Sequence, residues 1–443
     1  MNLLYKSYFI ITYGCQMNIH ESEKLAGIMQ ELGLSRAIDE NNADVVIFNT
    51  CCIRENAVDR AKGNIGALKK LKKNNKNLII AVGGCMTQQK DFSQNFLKKF
   101  PYVDIVFGTH NLEDFKQLFL KKINQNKRVV EIEDVEGTII EGTPKLRSSF
   151  PNAWINITYG CNNFCTYCIV PYVRGRERSR KKIDIVNECK LLVEQGYKEI
   201  TLLGQNVNSY GKDIGETFKS LLEELDKIEG KFRLRFMTNH PKDFNQELIE
   251  AISKSSKVCK NIHLPIQAGS DRILKLMNRR YTSKDYLEKV EILKKYIPDV
   301  AITTDIMVGF PTETEQDFLD TYSIMEKVQF AGAFTFIYSP RNGTPASSMQ
   351  GQIPEDVATD RIIKLINLQN SINRLQSEKY KDKTIEILCE GFDEKKQCYL
   401  GRDTYGRMAY FKSNKSLIGK FVNVKIVKTG GISLIGEVVE ILD

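Results

Sequence analysis

The sequence predicts an α/β protein in three parts: an N-terminal doubly wound parallel α/β domain, a partial (β/α)6 barrel, and a small C-terminal antiparallel β-barrel. Three observations predict it. Residues 1–132 alternate short apolar runs with helical patterns, which is the signature of a parallel sheet covered on both faces. After a polar break, six more strand-and-helix units follow, as in an incomplete (β/α) barrel. The last stretch, 381–443, changes to short β-type runs separated by Gly, Asn and Asp, which suits a small barrel.

In the first part, strands are expected over 8–13, 45–49, 78–82 and 104–107, with helices over 21–32, 55–72, 89–99 and 112–121. The stretch 133–151 holds Gly137, Gly142, Pro144 and a small basic cluster, and reads as a linker. The second part, 152–380, has strand-like runs at 154–158, 199–203, 233–237, 261–264, 300–306 and 332–338. Helical patterns lie between them at 183–195, 217–228, 246–253, 283–296 and 315–327, and a long helix over 354–379 ends it. In the third part the runs are 384–390, 397–402, 408–411, 421–428 and 434–441.

Bulk properties narrow the class. The chain has 443 residues, 42% hydrophobic and 27% charged, as in an ordinary soluble globular protein. No apolar run approaches the ~18 residues that span a bilayer, and the N-terminus lacks a signal-peptide cleavage pattern. A cytoplasmic protein that binds no membrane is therefore expected. The formal net charge of +9 suits a polyanionic partner without requiring one. Eleven cysteines in a chain of this kind point to metal binding more than to disulfides.

The strongest motif is Cys161-Asn-Asn-Phe-Cys165-Thr-Tyr-Cys168. Three thiolates spaced C-x3-C-x2-C bind three irons of a 4Fe-4S cluster and leave the fourth open. The amino and carboxylate groups of S-adenosylmethionine (SAM) can chelate that iron, and an electron from the cluster then cleaves SAM to an adenosyl radical. Structural zinc wants four closed ligands, and no Cys or His follows nearby to supply the fourth. The triplet follows the first strand of the barrel, where barrel enzymes build their sites. Candidate SAM contacts are Tyr167 within the motif and polar groups at later strand ends: Gln205, Asn206, Thr238, His240, Gln267 and Asp305.

Cys15, Cys51 and Cys85 are far apart in sequence, yet each follows a predicted strand: FIITYGC, VVIFNTC and LIIAVGGC. In a doubly wound sheet these positions converge on one edge. Gly14, Gly83 and Gly84 allow close backbone approach to a bulky ligand. A second, auxiliary 4Fe-4S cluster is expected there. Neighbouring side chains diverge, so only one of Cys51 and Cys52 faces it, and strand phase does not choose between them. Cys189, Cys259, Cys389 and Cys398 stand alone and read as structural.

At these two triads the sequence resembles the radical SAM methylthiotransferase family, and within it most closely the MiaB group, over nearly the whole chain. The resemblance rests on Tyr13-Gly14-Cys15-Gln16-Met17-Asn18, Asn49-Thr50-Cys51-Cys52-Ile53-Arg54-Glu55, Gly83-Gly84-Cys85, Tyr159-Gly160-Cys161, Ile169-Val170-Pro171-Tyr172-Val173-Arg174-Gly175-Arg176-Glu177 and Leu203-Gly204-Gln205-Asn206-Val207-Asn208. Gln16-Met17-Asn18 and Ile53-Arg54 separate the chain from the groups acting on a ribosomal protein or on threonylcarbamoyl-adenosine in tRNA, which are the alternative functions. His20-Glu21-Ser22 departs conservatively from the more usual Asp-Ser pair.

The resemblance implies Cys51, in the Asn-Thr-Cys pattern, as the ligand and Cys52 as a bystander. It implies that residues 1–132 carry the auxiliary cluster, 152–380 form a radical SAM core and 381–443 form a TRAM domain. It also implies methylthiolation at C2 of dimethylallyl-adenosine at position 37 of tRNA. One SAM methylates sulfur held at the auxiliary cluster, and a second gives the radical that takes the C2 hydrogen. The base must leave its stack to be reached. Implied partners are the tRNA anticodon stem-loop, a reducing donor such as flavodoxin or ferredoxin, and a sulfur donor; a monomer is expected.

For RNA, Arg174, Arg176, Arg178 and Arg180 alternate, so an extended chain would present them on one side. In the small barrel, Arg402, Arg407, Lys412, Lys415, Lys420 and Lys425 are phosphate candidates, and Tyr399, Tyr405, Tyr410 and Phe411 either stack on bases or fill the core. The run Lys69–Lys76 ends a helix, where cations are favoured without RNA.

Overall fold

The computed structural model describes residues 5–52, 55–133 and 139–442. Ile53 and Arg54, and part of the expected linker (134–138), lie outside the described residues. Backbone contacts divide the chain into two units. One holds 1–148, 159–162 and 169–178; the other holds 149–158, 163–168 and 179–443.

The first unit is built on a six-stranded parallel sheet. Its strands are β1 (Ser7–Thr12), β2 (Ser35–Arg36), β3 (Val45–Thr50), β4 (Ile79–Gly84), β5 (Ile105–Phe107) and β6 (Val129–Glu131), in the order β2-β1-β3-β4-β5-β6. Alternate residues of β3 pack into opposite layers. Val45 and Ile47 meet Leu25, Ile28 and Phe115, whereas Val46 and Phe48 meet Ala61, Ile65 and Phe96. Both faces are thus covered, as a doubly wound sheet requires. Truncating a ring as buried as Phe48 would cost about 3–5 kcal/mol. The order reverses between β1 and β3, which is the switch point where such sheets bind ligands.

Three expectations are corrected here. β2 and β6 are additional edge strands of two and three residues, too short to leave a periodic signal. The first helix runs Gln16–Glu31, five residues longer at its start than expected, because Cys15 and Asn18 form its capping box in place of the usual Ser, Thr or Asp cap. The end of the supposed linker is tied down. Glu23 on that helix accepts from Arg147 at 3.0 Å and from the Ser148 N–H at 2.9 Å.

The second unit contains six parallel strands: β7 (Asn152–Asn156), β10 (Glu199–Leu203), β11 (Arg233–Phe236), β12 (Asn261–His263), β13 (Ala301–Val308) and β14 (Gly332–Ile337). Two short strands, β8 (Thr158–Tyr159) and β9 (Arg178–Ser179), bracket the cysteine loop in sequence. Ladders join β7-β10-β11 and β12-β13-β14, and a bridge from Leu234 to Val258 continues the wall between them. Ile262, Ile302, Ile306 and Phe318 pack outward with Tyr286 and Leu293, so Thr303, Asp305 and Met307 face inward.

Five strands close the C-terminal barrel: β15 (Thr384–Asp393), β16 (Cys398–Arg402), β17 (Met408–Lys412), β18 (Phe421–Gly430) and β19 (Ser433–Ile441), ordered β15-β16-β17-β19-β18. One of its pairings, β17 with β19, is parallel, so the barrel is not antiparallel throughout. It packs with the larger barrel as one unit. Arg233 donates to the Arg402 carbonyl at 2.7 Å and pairs with Glu386 at 3.0 Å.

Candidate cluster sites

The cysteines of the first unit follow adjacent strands. Thr12 pairs with Asn49 and Thr50 with Gly84, so Cys15, Cys51 and Cys85 leave the C-terminal ends of β1, β3 and β4 side by side. The Cys85 N–H donates to the Thr50 carbonyl at 2.9 Å. Asn18, fully buried, ties these ends together. Its Oδ1 accepts from the Cys15 N–H at 3.2 Å and thiol at 3.4 Å, and its Nδ2 donates to Asn49 Oδ1 and the Thr50 carbonyl, both at 3.3 Å. Asn49 returns a bond to the Asn18 carbonyl at 2.8 Å. This network accounts for the Asn of the Gln-Met-Asn motif and for the Asn of the Asn-Thr-Cys motif. Gly14 has φ +132°, and a Cβ there would stand 2.8 Å from Cys51 Cβ, so the Cys15 turn presses directly on Cys51.

Cys15 is exposed, whereas Cys51, Cys52 and Cys85 are buried. Cys52 packs with Cys85, Ile169 and Val173. Its thiol donates to Cys85, which pushes Cys52 well up and, aided by the Arg174 charge, draws Cys85 down. Arg174 is itself buried and pairs with Glu21 at 2.6 Å. Burial opposes its charge, and Cys85, Glu21 and Cys15 restore it.

In the second unit the loop 163–168 is fastened by the segment after β12. Asn278 Nδ2 donates to the carbonyls of Asn163 at 3.2 Å and Phe164 at 3.0 Å, and Thr166 Oγ1 donates to the Leu276 carbonyl at 2.9 Å. Buried Arg279 donates to Cys165 Sγ at 3.4 Å and to the Pro265 carbonyl at 2.9 Å. The Cys168 N–H closes a turn onto the Cys165 carbonyl at 2.9 Å. In the first unit, the Cys161 N–H donates to the Gly175 carbonyl at 3.2 Å. Asn278 and Arg279 carry no motif of their own, and their distance in sequence from Cys165 hid them.

The strand ends of this unit are rich in buried polar atoms with no partner among the described residues: both amide atoms of Asn156, Thr158 Oγ1, Asn206 Oδ1, Asn239 Oδ1 and His240 Nε2. Such atoms are costly unless a ligand meets them. His240 is held far below its ordinary pKa by burial and then by Arg279 and Lys242, so it is neutral. Its Nδ1 accepts from the Lys242 N–H, which places the ring proton on Nε2.

The other expected SAM contacts are spread along the same edge. Asn206 also donates to Asp243 at 2.8 Å. Gln205 is half-buried. Thr238 is exposed, at φ +66°, and bonds the Gly204 carbonyl at 2.6 Å. Gln267 bridges the backbone of Asp305 and Met307. Asp305 lies 3.4 Å from His263. Tyr167 packs beside Ile273, Phe310 and Tyr338, and burial pushes its hydroxyl well up.

Several residues expected at RNA phosphates are engaged elsewhere. Val170–Arg174 is helical, so Arg174 does not continue the extended alternation of Arg176, Arg178 and Arg180. Arg174 is buried against Glu21 and Arg180 against Glu188 at 2.8 Å; neither is open to a phosphate. Arg402 spans Glu390 at 2.9 Å and Glu199 at 3.5 Å, and buried Arg407 bonds Gln376 at 2.9 Å, so both belong to the joint between the barrels. Arg176 is exposed, Arg178 half-buried, and Lys412, Lys415, Lys420 and Lys425 are exposed. Phe411 fills the small barrel's core, with Tyr399 packed against it.

Among the described residues no three His, Cys, Asp or Glu side chains converge on a single metal ion. A 4Fe-4S cluster takes each thiolate at a separate iron. The donor set fits such a group: thiols on adjacent strand ends, a turn glycine pressed on Cys51, and a buried cation beside the sulfurs. Among the described residues no helix is long and apolar enough to cross a membrane.

Comparison with known proteins adds three family matches: the radical SAM superfamily over 155–325, the uncharacterized protein family UPF0004 over 7–108, and the TRAM domain over 378–439. The chain is 52% identical over 434 residues to the tRNA-2-methylthio-N(6)-dimethylallyladenosine synthase of Clostridium tetani, covering 97% of this chain and 96% of that one. It is 51% identical over 438 residues to the protein of the same name from Thermoanaerobacter pseudethanolicus, covering 98% and 93%. Among solved structures, the radical S-adenosylmethionine methyltransferase TsrM from Kitasatospora setae has a similar fold, with TM-score 0.58 at 13% identity over 77% of this chain and 75% of that one.

Proposed function

The chain belongs to the family of tRNA-2-methylthio-N(6)-dimethylallyladenosine synthases, and from that premise we propose how its residues carry the family's reaction. It is a radical SAM methylthiotransferase that uses SAM and 4Fe-4S clusters and acts on dimethylallyl-adenosine in tRNA. The observation that carries this is 52% identity over 434 residues together with two cysteine sets, one after the parallel strands β1, β3 and β4 and one in the loop after β7 and β8.

Cys161, Cys165 and Cys168 hold the SAM-binding cluster, and Cys15, Cys51 and Cys85 the auxiliary one. When bound, the two clusters supply the adenosyl radical and the sulfur for transfer. The chain's own groups position and shield them. Asn278 and Arg279 fix the Cys165 loop, and Arg279 adds a charged donor to a ligand sulfur. Asn18 locks Cys15 against the end of β3. Ile169 and Val173 keep the Cys85 side dry. Asn156, Thr158, Asn206, Asn239 and neutral His240 offer the donors and acceptors that receive SAM's polar ends. Residues 1–132, 152–380 and 381–443 divide the work into sulfur, radical and RNA handling.

The target is the adenosine at position 37, in the anticodon stem-loop. A donor such as flavodoxin or ferredoxin supplies electrons, a separate donor supplies sulfur, and the enzyme is a cytoplasmic monomer. The test is reconstituted protein with SAM, a low-potential reductant and dimethylallyl-modified tRNA. The reading expects SAM cleavage and a methylthio group on the modified adenosine. Cleavage with transfer to threonylcarbamoyl-adenosine or to a ribosomal protein would replace it.

A further inference from the structure

Inner walls of (β/α) barrels are ordinarily filled by packed side chains. One stretch of this wall is not. Phe334 and Phe336 occupy alternate positions of β14, in parallel register with Asp305 and Met307 of β13. Register partners share a face, so both rings look inward, and the Phe334 ring stands edge-on to His263 at 6.0 Å. Yet Phe334 is 54% exposed and Phe336 43%. The opposite face of β13 is closed: Ile302, Ile306 and Val308 are buried.

Two open aromatic rings beside an Asp–His pair make an apolar surface with a polar edge. SAM has an adenine that can stack on a ring but no hydrocarbon branch to cover the apolar area beside it. A purine carrying a five-carbon branched hydrocarbon matches it. The base stacks on a ring face, as single-stranded bases do on aromatic side chains, and the branch covers apolar area that water otherwise wets. We propose that Phe334 and Phe336 form the subsite for the dimethylallyl-bearing adenine and determine the preference for the prenylated base. This rests on the functional reading above.

The test uses the holoenzyme with oxidised clusters and no reductant, so that nothing turns over. Binding is compared for two anticodon stem-loops, one with dimethylallyl-adenosine and one with plain adenosine. Wild type prefers the first. The double variant Phe334→Ala, Phe336→Ala reduces that preference roughly tenfold, the worth of about two carbons of the branch losing their apolar cover. Its affinity for the plain stem-loop falls less than that for the prenylated one, because only base stacking is lost there, and its affinity for SAM stays within about twofold. Phe334→Leu, which keeps apolar area, retains more of the preference. The rings are half-exposed, so truncation opens no core cavity. An unchanged preference in the double variant overturns the subsite. A parallel loss of SAM affinity places the rings on SAM and also overturns it. A wild type with no preference contradicts the functional reading itself, and the subsite with it.

Discussion

Arg174 donates to Glu21 from Nη1 to Oε1 at 2.6 Å and from Nη2 to Oε2 at 3.3 Å, joining the helix that follows the Cys161–Cys168 motif to the helix capped by Cys15. Both groups are buried, and the guanidinium charge acts on Cys15 and Cys85. Arg174→Met leaves Glu21 buried without its partner, at a cost of about 3–5 kcal/mol, read as a lower Tm. The same change removes a cation beside two cluster sulfurs, so the auxiliary cluster's midpoint potential falls. An EPR-monitored redox titration checks this; an unmoved potential would separate Arg174 from the cluster.

Cys51 and Cys52 are distinguished by substitution. Cys51→Ala is expected to abolish the auxiliary cluster's absorbance, and Cys52→Ala to keep it while removing the thiol donor to Cys85. The reverse pattern, with Cys52 indispensable, would move the ligand one residue along the chain.

The small barrel gives a contrast between two kinds of cation. Arg402→Ala loosens the joint with Glu390 and Glu199, costing about 1–2 kcal/mol, the low end because Arg402 is 30% exposed. It leaves the salt dependence of tRNA binding unchanged. Lys412→Ala or Lys415→Ala does the opposite: stability holds, and the slope of log K against log salt falls by about 1 for each phosphate that is no longer neutralised. Filter binding across a salt series reads both.

His240 carries a pH dependence. Its folded pKa lies far below the usual 6.5, chiefly through burial, so the folded protein takes no proton where the unfolded chain does. The stability is therefore complete above pH 6.5 and falls as pH drops below it, by up to about 1.4 kcal/mol per pH unit. His240→Gln removes this contribution. Denaturant midpoints at pH 7 and 5 should diverge less in the variant than in wild type, and equal divergence would mean that His240 titrates normally.

Much of this was legible in the sequence, for physical reasons. β10 matches its expected bounds because Ile200, Leu202 and Leu203 form a short apolar run between Gly196 and Gly204, and the helix Ser283–Tyr296 does so because Thr282 and Asp285 form a capping box. The cysteines following β1, β3 and β4 were legible because strand periodicity places chain turns even when residues are far apart. Contacts made across the fold were not. Nothing local marks Arg279 as the partner of Cys165, and Arg174 in a basic run reads as a surface cation until Glu21 is seen beside it. β17 and β19 pair in parallel, a closure that strand spacing alone does not encode.

The most direct measurement is mass spectrometry of tRNA nucleosides from a strain lacking this chain, with and without complementation. Dimethylallyl-adenosine should accumulate without its 2-methylthio derivative, wild type should restore the derivative, and Cys161→Ala should not. A deletion strain that keeps its 2-methylthio-dimethylallyl-adenosine would contradict the account.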